Sequence, residues 1–375
     1  MRTLPTFICL LASLSLTNAQ PSAVEAQIGR AGDNAAELRA ALERVPAEQR
    51  DGLRFLIEHM PQRDLDSLDA EFLLENVEYA YRARAEVPWG DEIAEAMFLN
   101  DVLPYASINE RRDRWRKDFY EKFMPMVKGC KTPGEAAQRL NRDMWKVVKV
   151  GYHATKRAKP DQSPYESMES GYASCSGLSV LLIDACRAVG VPARFVGIPQ
   201  WANKRGNHSW VEVWDGEDWQ FTGACEYNKN GLGKAWFAGD AAKARADQWQ
   251  HSIYASSWKD TGTRFPLVWN LRIDYVKATN VTGRYAKKPT SGRAFVQVFE
   301  RRGGKRVSVD VEIFEGDRTV LKAKTKGEES DTNDMLVVKL GAGKKYSISI
   351  AGGEQRQFTP SGKEDEQIEF FLNEG

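Results

Sequence analysis

Three stretches between residues 169 and 226 concentrate side chains able to do nucleophilic chemistry. They are Glu169-Ser-Gly-Tyr-Ala-Ser-Cys175-Ser-Gly-Leu, Gly206-Asn-His208-Ser-Trp-Val-Glu-Val-Trp214 and Trp219-Gln-Phe-Thr-Gly-Ala-Cys-Glu226. A cysteine becomes a strong nucleophile when its surroundings favour the thiolate or when a nearby base takes its proton, and histidine is the usual base. Leu178, Leu181, Leu182, Ala185 and Val189 recur at the spacing of one helical face, with Ser174 suited to the N-cap and Gly190 and Pro192 ending the run. A helix is therefore expected over 175–189. Cys175 then lies in or just before the first turn, where unpaired N–H groups and the positive end of the dipole favour a thiolate. Its own N–H is an expected oxyanion donor.

The elements that must bring a base to this thiol follow directly. Ala193–Ile198 reads as a buried strand, and a polar loop from Trp201 to Asn207 leads into a second strand, Ser209–Trp214. His208 enters that strand from the loop. Strand alternation puts His208, Trp210, Glu212 and Trp214 on one face. Asp215-Gly216 makes a hairpin turn, and Trp219-Gln-Phe-Thr returns. A histidine at the end of a sheet can face a cysteine at a neighbouring helix N-terminus, the arrangement of an imidazolium–thiolate pair.

Order, spacing and local structure together resemble the transglutaminase-like superfamily of papain-type cysteine enzymes, in which a cysteine at a helix start is followed by a histidine and then an acid on two adjacent strands. The likeness is carried by Gly171-x-x-x-Cys175-x-Gly177, Ala185-Cys-Arg-Ala-Val-Gly-Val-Pro-Ala-Arg194, Asn207-His208-Ser-Trp-Val-Glu-Val213, and Trp219 ahead of Gly223-Ala-Cys-Glu226. The last run also looks like the end of the catalytic region in peptide:N-glycanases of the same superfamily, and a looser likeness to bacterial transglutaminase-like proteins covers residues 88–300. The resemblance implies an α+β, papain-like core with Cys175 as nucleophile and His208 as base. Such families place an aspartate four residues after the tryptophan, where this chain has Gly223. Glu226 is then the nearest downstream acid able to orient His208, with Glu212 as the second candidate. In the superfamily an upstream tryptophan can help form the oxyanion hole; Trp145 or Tyr172 could do so here, or could simply pack.

The rest of the chain supplies context. Residues 1–19 carry one positive charge, Arg2, an apolar run from Phe7 to Leu16, and Thr17-Asn-Ala19, the pattern of a cleavable secretory signal. A secreted or periplasmic protein is expected, without membrane insertion. With 53 basic and 52 acidic residues, no large field invites nucleic acid. Besides Cys9 in the signal, Cys130, Cys186 and Cys225 are expected to be mostly reduced and packed. No His/Cys spacing suggests a metal, and no cofactor is expected.

Residues 20–125 read as a helical accessory region with helices over Ala35–Leu42, Arg50–His59 and Ala70–Ala85. The charged run Asn109–Asp118 reads as a solvated helix face, and Pro88–Glu110 as packing or as a wall of the substrate cleft. Residues 126–265 form the expected catalytic domain, with a helix over 133–149 capped by Thr132. In its polar loop, Trp201 is either an exposed substrate platform or a buried anchor. Residues 266–375 shift to strands, beginning with Val268–Val276, separated by turns such as Gly303-Gly304 and Glu315-Gly-Asp317, and predict an antiparallel β-sandwich.

The expected activity is cysteine-dependent acyl transfer or hydrolysis at an amide of a protein, peptide or glycopeptide substrate. The rival expectations are a catalytically silent binding or scaffold protein, favoured by Gly223, and a glycopeptide amidase. Oligomeric state leaves no mark in the sequence.

Overall fold

Four helices open the fold: α1 (Ala23–Arg30), α2 (Ala35–Arg44), α3 (Arg50–His59) and α4 (Ala70–Glu86). In the computed structural model of the chain, the described residues are 22–286, 293–341, 343–350, 355–360 and 365–373; the expected signal, 1–19, lies outside them. Side-chain caps fix two of these helix starts, Ser22 accepting from the Glu25 N–H and Asp69 from the Phe72 N–H at 2.7 Å. The buried sides of the helices, with Leu38, Leu53, Leu56, Leu73 and Val77, enter a hydrophobic core that runs on to Ala278. The helical region and the following domain thus share one core.

The charged run 109–118 is not a solvated helix face. Residues 103–110 are irregular and buried, and helix α5 (Arg116–Val127) starts only at Arg116. Buried irregular backbone leaves carbonyls without partners, and arginine carries five donors in a rigid fork. The Arg116 guanidinium, itself buried, donates to Asn76 Oδ1 and to the carbonyls of Val102, Leu103, Pro104 and Arg187. Arg112 binds Asp64 in the same way. The segment from Pro88 to Glu110 packs against the core, with Trp89 Nε1 donating to the Gly190 carbonyl at 2.9 Å.

Helix α6 (Pro133–Val148) begins at the expected cap, Thr132. A short parallel pair follows, β1 (Gly151–Tyr152) with β2 (Tyr172–Ala173), around helix α7 (Pro164–Ser170). Helix α8 (Cys175–Ala188) is buried on all sides from Ser176 onward rather than on one face. It lies between α5 and an antiparallel sheet of β3 (Ala193–Ile198), β4 (His208–Trp214), β5 (Trp219–Thr222), β6 (Tyr254–Ser257) and β7 (Lys277–Asn280), in the order β5-β4-β3-β6-β7. The strand expected at 268–276 is absent: Asn270 N–H to the Leu267 carbonyl and Ile273 N–H to the Asn270 carbonyl make successive turns. β7 forms later and completes this five-stranded sheet, which therefore extends past residue 265.

The C-terminal module packs two sheets face to face over one apolar core. One comprises β9 (Asp310–Glu315), β10 (Arg318–Lys324), β12 (Tyr346–Ile350) and β13 (Gln355–Phe358); the other β8 (Ala294–Phe299), β11 (Leu336–Val338) and β14 (Glu366–Phe371). The sandwich is not purely antiparallel, because β14 runs parallel to β8. It is tied to the preceding domain by ion pairs of Arg293 with Asp240 and of Asp365 with Lys243. The architecture is α+β, as expected, and among the described residues no helix is long and apolar enough to cross a membrane.

Replacing Arg116 by Met leaves several buried carbonyls without donors, and a loss of about 3 kcal/mol or more is expected from urea denaturation. A loss below about 1 kcal/mol would show that water or backbone rearrangement satisfies them instead.

Candidate active site

Cys175 opens α8 and His208 opens β4, and a buried hydrogen bond between their sequence neighbours, Ser176 Oγ and Ser209 Oγ at 3.1 Å, joins the two elements. The helix start itself is held by Ser174, whose Oγ accepts from the Ser176 and Gly177 N–H groups. Neither bond uses the Cys175 N–H, which leaves it for an oxyanion. Cys175, His208, Cys225 and Glu226 line one cleft of about 620 Å³, walled by Tyr152 and His153 on one side and by Trp236 on another.

The acid position is resolved in part. A Cβ at Gly223 would lie 2.0 Å from Glu226 Oε2, so the Glu226 carboxylate fills the space that a side chain at 223 would take. It does not reach the imidazole: Glu226 Oε1 accepts from Trp236 Nε1 at 3.0 Å, and the Trp236 ring lies 4.8 Å from the His208 ring. His208 Nε2 is buried and has no hydrogen-bond partner among the described residues. Glu212 is committed elsewhere, accepting from Arg194 and from the Tyr285 hydroxyl at 2.6 Å.

Burial, rather than the helix dipole, governs the pair. It raises the Cys175 thiol above its ordinary value, as does the charge of Asp331; the Ser209 N–H, Arg157 and Ser176 oppose them. Burial likewise lowers the His208 imidazole to about 4, with Asp331 raising it and Arg205 lowering it further. The resting pair is a neutral thiol and a neutral imidazole, against the ion pair expected from the helix position alone.

None of the three residues expected to hold substrate lines the cleft. Trp201 is buried, lies parallel to Trp210 with ring centroids 6.1 Å apart, and donates from Nε1 to Asn333 at 3.0 Å, so it anchors its loop. The exposed indole beside His208 belongs to Trp236 instead. Trp145 donates to the Asn141 carbonyl one turn back in α6 and does not line the cleft. Tyr172 stands at the rim, edge-on to His153 at 5.3 Å.

Other residues that matter here carry no sequence signal. Asn141 Nδ2 holds Thr222 Oγ1 and the Gly223 carbonyl, and its Oδ1 accepts from the Cys225 N–H at 3.0 Å. It thereby fixes the turn that presents Glu226, in which Cys225 takes φ +63°. Cys225, expected in the core, instead faces the cleft; Cys130, Cys175, Cys186 and Cys225 are all free thiols. Among the described residues no cluster of His, Cys, Asp or Glu is arranged to hold a metal.

Residues 122–224 match the family described as the transglutaminase-like superfamily, a span that includes Cys175 and His208 and ends two residues before Glu226. No curated protein matches the chain. Among solved structures, it is similar to a Cytophaga hutchinsonii protein provisionally named a cysteine protease, at 23% identity over 32% of this chain and 40% of that one, with a TM-score of 0.25. It is also similar to red sea bream transglutaminase, at 9% identity over 65% of this chain and 58% of that one, with a TM-score of 0.27. The chain thus spans less than two thirds of either solved protein.

Two outcomes follow. Asn141→Ala removes the partner of three buried groups and should cost about 2 kcal/mol in a denaturant titration, with the Cys225 amide losing hydrogen-exchange protection; unchanged protection would contradict the role given to Asn141. Between pH 6.5 and about 4 the unfolded chain protonates His208 while the folded chain does not. Stability should therefore fall as pH drops through that window, and His208→Gln should fall less. Parallel curves for the two proteins would exclude a neutral buried His208.

Proposed function

We propose that the transglutaminase-like segment 122–224, together with Glu226, performs acyl transfer through a covalent thioester on Cys175. The observation that carries this reading is the opening of Cys175 and His208 onto one cleft from elements joined by the Ser176–Ser209 bond. The thiol attacks an amide carbonyl while His208 takes its proton, a transfer concerted with attack because the resting pair is neutral. The tetrahedral oxygen is received by the Cys175 N–H, and His208 returns the proton to the leaving amine. The thioester then passes to water or to an amine. Hydrolysis is the preferred outcome of this reading, with a protein, peptide or glycopeptide as the acyl donor. Glu226 steadies His208 through Trp236 rather than by a direct hydrogen bond.

A second reading, a silent binding or scaffold protein, is favoured by Gly223 and by the unpartnered His208 Nε2. The glycopeptide amidase reading rests on the Gly223-Ala-Cys-Glu226 run alone. The signal-like residues 1–19 support a secreted or periplasmic setting in either case.

Incubation of the protein with a peptide mixture and hydroxylamine should yield peptide hydroxamates, and without hydroxylamine an acyl mass adduct should be trapped on Cys175 by acid quench. In Cys175→Ala and His208→Ala the rate should fall by roughly 10³-fold or more. Product formation that survives Cys175→Ala would refute the thiol mechanism, and no product from the unaltered protein would favour the scaffold.

A further inference from the structure

The C-terminal module reaches the thiol. Its loop between β10 and β11 brings Glu329, Ser330, Asp331, Asn333 and Asp334 to the cleft that holds Cys175 and His208. This loop is held from both sides. From inside the module, the buried Arg306 donates to the carbonyls of Gly327, Ser330, Asp331 and Asp334. From the catalytic domain, Asn333 receives Trp201 Nε1 and Arg205 Nη1 and donates from Nδ2 to the Asn207 carbonyl at 2.6 Å, immediately before His208. Gly206 lets the two loops touch: a Cβ there would lie 2.1 Å from Thr332 Oγ1.

Asp331 itself is held firmly. One carboxylate oxygen accepts from the Tyr152 hydroxyl on the opposite wall of the cleft, and the other from the Asn333 N–H at 2.7 Å. We propose that Asp331 is the acidic residue of the Cys175–His208 site, supplied by the C-terminal module, so that the module is a working part of the active site and not a spacer. This inference rests on the thiol-enzyme reading above and adds to it a positioning charge that Glu226 does not provide directly.

The electrostatics agree with the geometry. Among the described residues, the Asp331 carboxylate raises both the thiol and the imidazole, while Arg157 opposes it at Cys175 and Arg205 at His208. Glu226, Glu329, Asp334 and Tyr152 face the same cleft. A fixed carboxylate here favours the imidazolium that must protonate a leaving amine, and it holds the thiol protonated until substrate arrives. Removing the charge should therefore make the thiol easier to ionise and His208 harder to protonate.

The test uses the full chain with Asp331→Asn, Asp331→Ser as a second variant, Glu329→Gln as a control for a nearby charge, and Cys175→Ser. Iodoacetamide labelling at Cys175 is followed against pH by peptide mapping, and the His208 ring proton is titrated by NMR. In both Asp331 variants, labelling at pH 8 should be roughly three- to tenfold faster, equivalent to half to one pK unit, and the His208 titration should move to lower pH. Glu329→Gln should overlay the unaltered protein. Overlay of both Asp331 variants with the unaltered protein, or an equal shift in Glu329→Gln, overturns the proposal. The NMR arm does not depend on thiol chemistry. Activity persisting in Cys175→Ser would thus sink the thiol-enzyme reading separately from the assignment of Asp331.

Discussion

The hydrogen bond between Ser176 and Ser209 is the contact on which the site depends. Each serine follows the residue that matters, Cys175 on the helix and His208 on the strand, so one 3.1 Å contact sets where two reactive side chains stand. Neither element can shift independently. Helix α8 is enclosed by packing on every side. Strand β4 is central, paired to β3 and β5 with its register set by both neighbours. Losing one hydroxyl would strand the other in the interior, a penalty of about 1–3 kcal/mol that keeps the pair together.

The same enclosure sets the chemistry. A helix N-terminus and a backbone N–H favour the thiolate, yet desolvation outweighs them and holds the thiol protonated. His208 is pushed the opposite way by the same burial. The same burial thus favours the neutral form of both groups. Besides Arg157, Arg205 and Glu226 from the domain itself, the Asp331 charge reaches this setting from outside it, on a loop that Arg306 braces and Asn333 docks. The side chain missing at Gly223 leaves a space that Glu226 occupies without hydrogen-bonding to His208.

How far the sequence reveals this follows from which forces act locally. The helix beginning at Cys175 is legible because Ser174 caps it and apolar spacing marks it, and His208 because alternation and a hairpin turn frame β4. The thiol's protonation state is not legible, since it depends on burial by segments far away in sequence. Arg112 and Arg116 look solvated in a charged run, but the irregular backbone from 103 to 110 draws their donors inward. Trp201 proves the buried anchor of its loop rather than an exposed platform because Asn333 of a distant module covers it, and the exposed indole beside His208 belongs to Trp236. Asn141 and Asp331 are ordinary polar residues in their own segments and acquire a role only where tertiary contacts bring Cys225 and Tyr152 to them.

The central claim is that the Cys175 thiol and the His208 imidazole open onto one cleft and act as a pair across it. A short bifunctional alkylator, 1,3-dibromoacetone, tests this most directly, because its two reactive carbons can bridge a thiol and an imidazole only when the groups face each other. Peptide mapping after treatment should recover one crosslinked species containing both Cys175 and His208. Recovery of Cys175 alkylated alone, or bridged to Cys225 in place of His208, would contradict the account.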